Sequence, residues 1–184
     1  MRVLLASRSP RRAELLRAAG FDFEVVPADV DEAAHPGEDA RAYVARMSAS
    51  KAAAIGCRIS GSPVLGADTV VVLDGVMLGK PRDDEDAARM LRMLAGRAHE
   101  VCTGVTIQAG GRALSEVVST RVRFLPLTSD EIAWYVGTGE PRDKAGAYAI
   151  QGRASRFVES IEGSYSNVVG LPVATVYRLI RQLR

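Results

Sequence analysis

The chain has 184 residues, 47% of them hydrophobic and 25% charged, with a formal net charge of +2. That composition fits a folded globular protein with a sizeable core and argues against a nucleic-acid coat. Cys57 and Cys102 lie far apart and form no CxxC pair, which suggests a reducing compartment and not a disulfide scaffold or zinc site.

Arg2–Ala6 reads as a short apolar strand. It leads into Ser9 as a helix cap, Pro10 at the first helical position, and a helix over Arg11–Ala19 that Gly20 stops. Phe21–Val26 alternates as a strand and is followed by an acidic turn, ADVDEAAHPGED. A helix is expected over Glu38–Ile55, with Tyr43, Val44, Met47, Ala54 and Ile55 on one stripe. Pro63–Leu73 is a continuous apolar run, the mark of a strand covered on both faces. Asp74-Gly75 signals a hairpin, Val76–Leu78 returns, and Asp83 caps a helix whose first turn is acidic. His99–Gln108 and Ala113–Leu125 are strands joined through Gly110-Gly111. Thr128 and Glu131 form a capping box for the next helix. A Gly/Pro loop, a strand over Phe157–Ile161, a second loop and a helix starting at Pro172 complete the chain. Hairpins mixed with crossovers predict an α/β fold with a mixed sheet and flanking helices. We expect a single domain over residues 1–184, with two lobes. No secretory h-region and no apolar run of membrane-span length is visible, so the expected location is the cytoplasm.

The first helix breaks a rule that the helices after Asp83 and Thr128 obey. Its N-terminus carries Arg11 and Arg12 where the dipole favours acids. A bound anion removes the conflict. Plain solvation of two arginines costs only about a few tenths of a kcal/mol each, and the motif alone supports both readings equally.

Asp68 interrupts the apolar run VLGADTVVVL, on one face with Val64, Val70 and Val72. A carboxylate there is costly unless it is paired, hydrogen-bonded or metal-bound. Backbone donors at a bulge permitted by Gly66 are the plainer alternative. Lys51 falls on the inward stripe of its helix; on that pattern alone, a snorkelling lysine fits better than a functional one. Lys80 lies in GVMLGKP, a near miss to a Walker A loop that we reject, with Pro81 where Ser or Thr belongs. It is either a phosphate contact or simply exposed. Asp29, Asp31 and Glu32 are either a source of one metal carboxylate or a solvated turn. Gln151 follows a Gly-rich loop, and its amide has the donor and acceptor needed to read a base edge. An exposed loop glutamine is the alternative. His35 and His99 have no partner spacing and receive no ligand role. Together, cations at 11, 12, 51 and 80 with carboxylates at 31 and 68 suit a polyphosphate and a divalent metal.

Four segments in order carry a resemblance: LLASRSPRR at 4–12, GADTVVVLDGVMLGKPRDDEDAARML at 66–91, DKAGAYAIQG at 143–152 and GSYSNVVGLPV at 163–173. The chain resembles the Maf family of nucleoside triphosphate pyrophosphatases, and the segment at 143–152 resembles its dTTP and UTP branch. The resemblance implies a mixed sheet with two lobes around a cleft, related in shape to the inosine triphosphatases (Ham1-type), and a homodimer. It also implies hydrolysis of dTTP or UTP to the monophosphate and pyrophosphate with Mg²⁺ or Mn²⁺, and no nucleic-acid or membrane partner. By position, Asp68 matches the catalytic acid/base residue and a metal ligand. Arg12, Thr69 and Gln151 match base-selecting positions. Ser7, Arg11, Lys51 and Lys80 match the phosphate site, with Lys51 and Lys80 assisting catalysis. Asp31 matches a second metal acid, a place that Asp29 or Glu32 could also fill. Two other classes compete with the enzyme: a nucleotide-binding regulator of septum formation, and a nucleic-acid binder using Arg11 and Arg12. The second lacks interleaved aromatics, at 5% of the chain.

Overall fold

The computed structural model of the chain describes residues 2–59 and 61–183. Among them, seven strands form one sheet in the order β2-β1-β3-β5-β6-β7, with β4 paired to β3. The strands are β1 (Val3–Leu5), β2 (Phe23–Val25), β3 (Val64–Leu73), β4 (Val76–Leu78), β5 (Ala98–Ala109), β6 (Arg112–Phe124) and β7 (Val158–Glu162). The α-helices are α1 (Pro10–Ala18), α2 (Ala40–Gly56), α3 (Asp84–Leu94), α4 (Ser129–Gly137), α5 (Tyr165–Val169) and α6 (Val173–Gln182). The sheet is mixed, as expected: β1 runs parallel to β2 and β3, while β4 and β7 pair antiparallel with β3 and β6. No helix of the described residues is long and apolar enough to cross a membrane.

The chain divides into two compact units. The first comprises Met1–Thr69, Thr103–Val118 and Gly170–Arg184, the second Val70–Cys102 and Ser119–Val169. In the first unit, successive strand residues face opposite sides and both sides are covered. Val3, Leu5, Leu65 and Ala67 cluster with Leu16 of α1 and Val176 and Leu179 of α6. Leu4, Ala6 and Val64 cluster with Ala52 and Ile55 of α2. This is why β3 is apolar at nearly every position, and why a charge within it must find a partner.

The second unit is built around Leu73, Leu78, Leu91, Leu94, Phe124, Tyr135 and Phe157. The β3–β4 hairpin turns at Asp74 and Gly75, both with positive φ, the geometry anticipated for Asp-Gly. Asp83 accepts from Asp86 N at 2.7 Å, and the capping box of Thr128 and Glu131 is complete. His99, given no ligand role, is a core residue: its Nε2 lies 2.9 Å from Tyr148 Oη and its ring stands edge-on to Phe124. Burial pulls its pKa down from 6.5 to about 4.

Three expectations shift. Asp39 caps α2 by accepting from Ala42 N, while Glu38 turns to Arg46, so the helix starts at Ala40 and not at Glu38. The strand expected over 21–26 contracts to Phe23–Val25, because Phe21 N closes the end of α1 on Leu16 O. α5 and the 3-10 turns within 140–157 lie in segments whose Gly and Pro content reads as loop.

Candidate active site

The site begins with two bare α-carbons. A Cβ on Gly66 of β3 would lie 2.1 Å from Ser48 O and 2.7 Å from Ala52 N, both in α2. A Cβ on Gly104 of β5 would lie 2.1 Å from Val44 O, also in α2. The helix backbone therefore rests directly on the strands, an approach any side chain would forbid. Gly66 is thus a docking point and not the bulge allowed for above. Asp68 follows two residues later on the same face, and Lys51 stands above it. Lys51 Nζ lies 2.6 Å from Asp68 Oδ1 and 2.6 Å from Glu32 Oε1. Lys51 is 7% exposed and Asp68 9%, so this ammonium does not snorkel; it is held between two carboxylates.

Glu32 reaches Lys51 because the acidic turn is laced onto α2. Tyr43 donates to Glu32 O at 3.0 Å, and Arg46 Nη2 donates to Ala33 O at 3.0 Å. Arg46 also grips Glu38, with Nε and Nη2 each 2.6 Å from a carboxylate oxygen. Burial first, then the charges of Asp68 and Glu32, push the Tyr43 hydroxyl up to about 12, so it remains a donor. Of the three acids left open, Glu32 is the one that joins Asp68 on a shared cation. Asp31 is exposed and accepts from Ala33 N at 2.9 Å, and Asp29 lies 3.8 Å from Arg8.

Thr69 faces the other side of β3 and meets Arg12, which is buried at 8% exposure. The guanidinium donates to Gly170 O (2.9 Å), Ala67 O (2.9 Å), Ser7 Oγ (3.1 Å) and Thr69 Oγ1 (3.0 Å). Thr69 Oγ1 also lies 2.9 Å from Thr103 Oγ1 and 3.2 Å from Gly170 O. Burial lowers the pKa of Arg12, and the charge of Asp68 opposes that shift. The anomaly at the start of α1 therefore has two parts. Arg12 folds inward to tie β1, β3 and the segment before α6 together, and Arg11 remains half-buried at the helix end. Ser9 caps α1 without a side-chain bond; its own N–H donates to Ser7 Oγ at 3.2 Å.

Asp68, Lys51, Ser7, Arg11, Arg12, Thr69 and Asp31 all belong to the first unit. Lys80 and Gln151 belong to the second, and both are exposed. Lys80 follows a backbone tie from Gly146 N to Gly79 O at 3.0 Å. Residue-type reasoning gave no site role to Gly104, Tyr43, Thr103 or Gly170, and took Gly66 only as permitting a bulge. A glycine two residues before a buried strand acid was the available signal, since it marks a close approach on that acid's own face.

The arrangement is an acid at low exposure, charge-paired with lysine, next to a second carboxylate and within the field of a buried arginine. It can orient and deprotonate a water and can present hard oxygen donors to a cation. Comparison with known proteins gives the family. A family profile described as Maf-like protein matches residues 2–183. A protein of Anaeromyxobacter sp. (strain Fw109-5) named dTTP/UTP pyrophosphatase is 58% identical, covering 98% of this chain and 89% of its own length. Proteins of the same name from Koribacter versatilis (strain Ellin345) and Myxococcus xanthus (strain DK1622) are each 51% identical, covering 99% and 98% of this chain and 94% and 91% of their own lengths. The Ham1 protein of Staphylococcus aureus superposes over 100% of both chains with a TM-score of 0.57 at 12% identity, a likeness of fold. The chain belongs to the Maf-like protein family.

Proposed function

We propose that this chain is a nucleoside triphosphate pyrophosphatase that hydrolyses dTTP and UTP to the monophosphate and pyrophosphate. The observation that carries the reading is Asp68, a carboxylate inside an apolar strand, held 2.6 Å from the Lys51 ammonium that also binds Glu32. A structural ion pair needs one acid. Two acids converge on one lysine, so two carboxylates stand together where a divalent cation could use them.

In this reading Asp68 orients a water and accepts its proton as the oxygen attacks the α-phosphorus. The bond from the α-phosphorus to the bridging oxygen breaks, and pyrophosphate leaves with the electron pair. Lys51, Arg11 and Lys80 offset the charge that gathers on the leaving group. Arg12 holds Ser7 and Thr69 in place through its hydrogen bonds. Asp68 and Glu32 suit Mg²⁺ or Mn²⁺, because two carboxylates with substrate phosphates are the donor set such ions take. Glu32 takes the place for which Asp31 was a candidate. The metal, when bound, supplies neutralisation of phosphate charge and a more acidic water. Gln151 reads the pyrimidine edge. The reading includes a homodimer in the cytoplasm, with sedimentation velocity as the check on assembly.

The test is pyrophosphate release from dTTP, UTP, CTP, dATP, dGTP and 7-methyl-GTP, with and without Mg²⁺ or Mn²⁺. Release from dTTP and UTP, dependent on metal, is expected. Tight nucleotide binding with no pyrophosphate from any of them would replace the enzyme with a nucleotide-binding regulator.

A further inference from the structure

Gln151 stands at the tip of a turn whose two ends are tied to one half-buried carboxylate, that of Glu140, directly at one end and through a tyrosine at the other. Gly152 N donates to Ala149 O at 3.0 Å, which closes a four-residue turn with Ile150 and Gln151 at its centre. Ile150 packs against the apolar core of the second unit, while Gln151 is exposed. At the entry to the turn, Ala149 N donates to the Tyr135 hydroxyl at 3.2 Å, and that hydroxyl donates to Glu140 Oε1 at 2.8 Å. At the exit, Arg153 N donates to Glu140 Oε2 at 3.1 Å. Between the two, a Cβ on Gly152 would lie 2.3 Å from Glu140 Oε1 and 2.5 Å from Oε2. The glycine is therefore required for the carboxylate to sit against the turn. Tyr135 is fully buried, with Phe157 edge-on at 5.5 Å, so the hydroxyl at the centre of this chain of bonds has a fixed position.

We infer that Glu140, acting through Tyr135 and the backbone of residues 149–153, is a positioning residue that aims Gln151 at the base of the nucleotide. This rests on the base-reading role proposed for Gln151. A surface glutamine has three free torsions and loses them on binding. A turn fixed at both ends removes the backbone part of that cost and leaves the side chain one region to search. An ordinary loop would need neither a carboxylate that holds one backbone N–H directly and a second through a tyrosine hydroxyl, nor a glycine kept open for it.

The experiment compares Glu140→Ala, Glu140→Gln, Gln151→Ala and the Glu140→Ala/Gln151→Ala double variant in full steady-state kinetics on UTP and CTP. Glu140→Ala is expected to raise KM for UTP roughly tenfold at nearly constant kcat and to narrow the UTP:CTP preference. Glu140→Gln keeps one acceptor oxygen and recovers part of the loss. Once Gln151 is alanine, removing Glu140 adds no further change in KM, the mark of two residues acting as one unit. If Glu140→Ala does not fold, Tyr135→Phe, which keeps the ring and loses the hydroxyl, takes its place in the same comparison. A lower melting temperature with unchanged KM and preference would make Glu140 structural only and overturn the inference, as would independent effects in the double variant. Unchanged KM and preference in Gln151→Ala alone would instead remove Gln151 from base reading, a distinct failure.

Discussion

In the first compact unit the central candidates, Asp68, Lys51 and Arg12, are buried and bonded within the site; in the second the candidates stand exposed on turns. Asp68, Lys51 and Arg12 are each under 10% exposed; Lys51 pairs with Asp68, and Arg12 binds Thr69, the next residue of the strand. Lys80 and Gln151 are exposed, and the order around them lies in the backbone: Gly146 N on Gly79 O for the one, the Glu140 carboxylate for the other. Charged groups in an apolar strand must be neutralised before any ligand arrives, so their geometry is set on folding. Groups at turn tips pay no such desolvation and are free to meet a ligand. The first arrangement suits chemistry and the second suits selection.

That contrast predicts that changes in the first unit alter turnover and stability together, while changes at the exposed tips alter kinetics and leave stability alone. The largest effect belongs to Asp68→Asn, which keeps the shape and leaves Lys51 with Glu32. Turnover of dTTP should fall by about a thousandfold, within the range of general acid–base catalysis. Near-normal turnover in a quenched-flow or pyrophosphate assay would break the contrast at its strongest point. Next comes Lys51→Met, which strands Asp68 without its ammonium. Removing one partner of a buried ion pair should cost about 3 kcal/mol in urea unfolding, with turnover lost as well.

The core of the second unit supplies a control without chemistry. His99 has its pKa lowered by burial from 6.5 to about 4. A depressed histidine pKa means the unfolded chain binds the extra proton first, so the stability is complete above pH 6.5 and is lost as pH falls toward 4. The size is at most about 3 kcal/mol. Thermal melts of the wild type should decline across that window, and His99→Gln should flatten the decline. The smallest effect belongs to Lys80→Ala: kcat/KM for dTTP falls by about tenfold, equivalent to ~1.4 kcal/mol, and the melting temperature stays put. A drop in melting temperature would place Lys80 with the buried group after all.

Much of this was legible in the sequence. Helix ends marked by Asp83, Thr128 and Glu131 declared themselves through local chemistry, and Asp68 stood out as a charge in an apolar run. Lys51 was visible as an inward position, but its pattern could not reveal the partner seventeen residues on. Glu32 was hidden among three acids, because the choice depends on Tyr43 and Arg46 gripping the backbone of the turn. The inward fold of Arg12 was illegible for a related reason. Its acceptors at residues 67, 69 and 170 are far along the chain, and helix-terminus rules consider only neighbours.

Gly66 and Gly104 each present only a hydrogen where α2 comes down, and that sets the clearance between ammonium and acid. A single methyl at either place would jack the helix upward and pull Lys51 off its seat. The most fragile dimension of this catalyst is therefore controlled by two residues that would never touch a nucleotide.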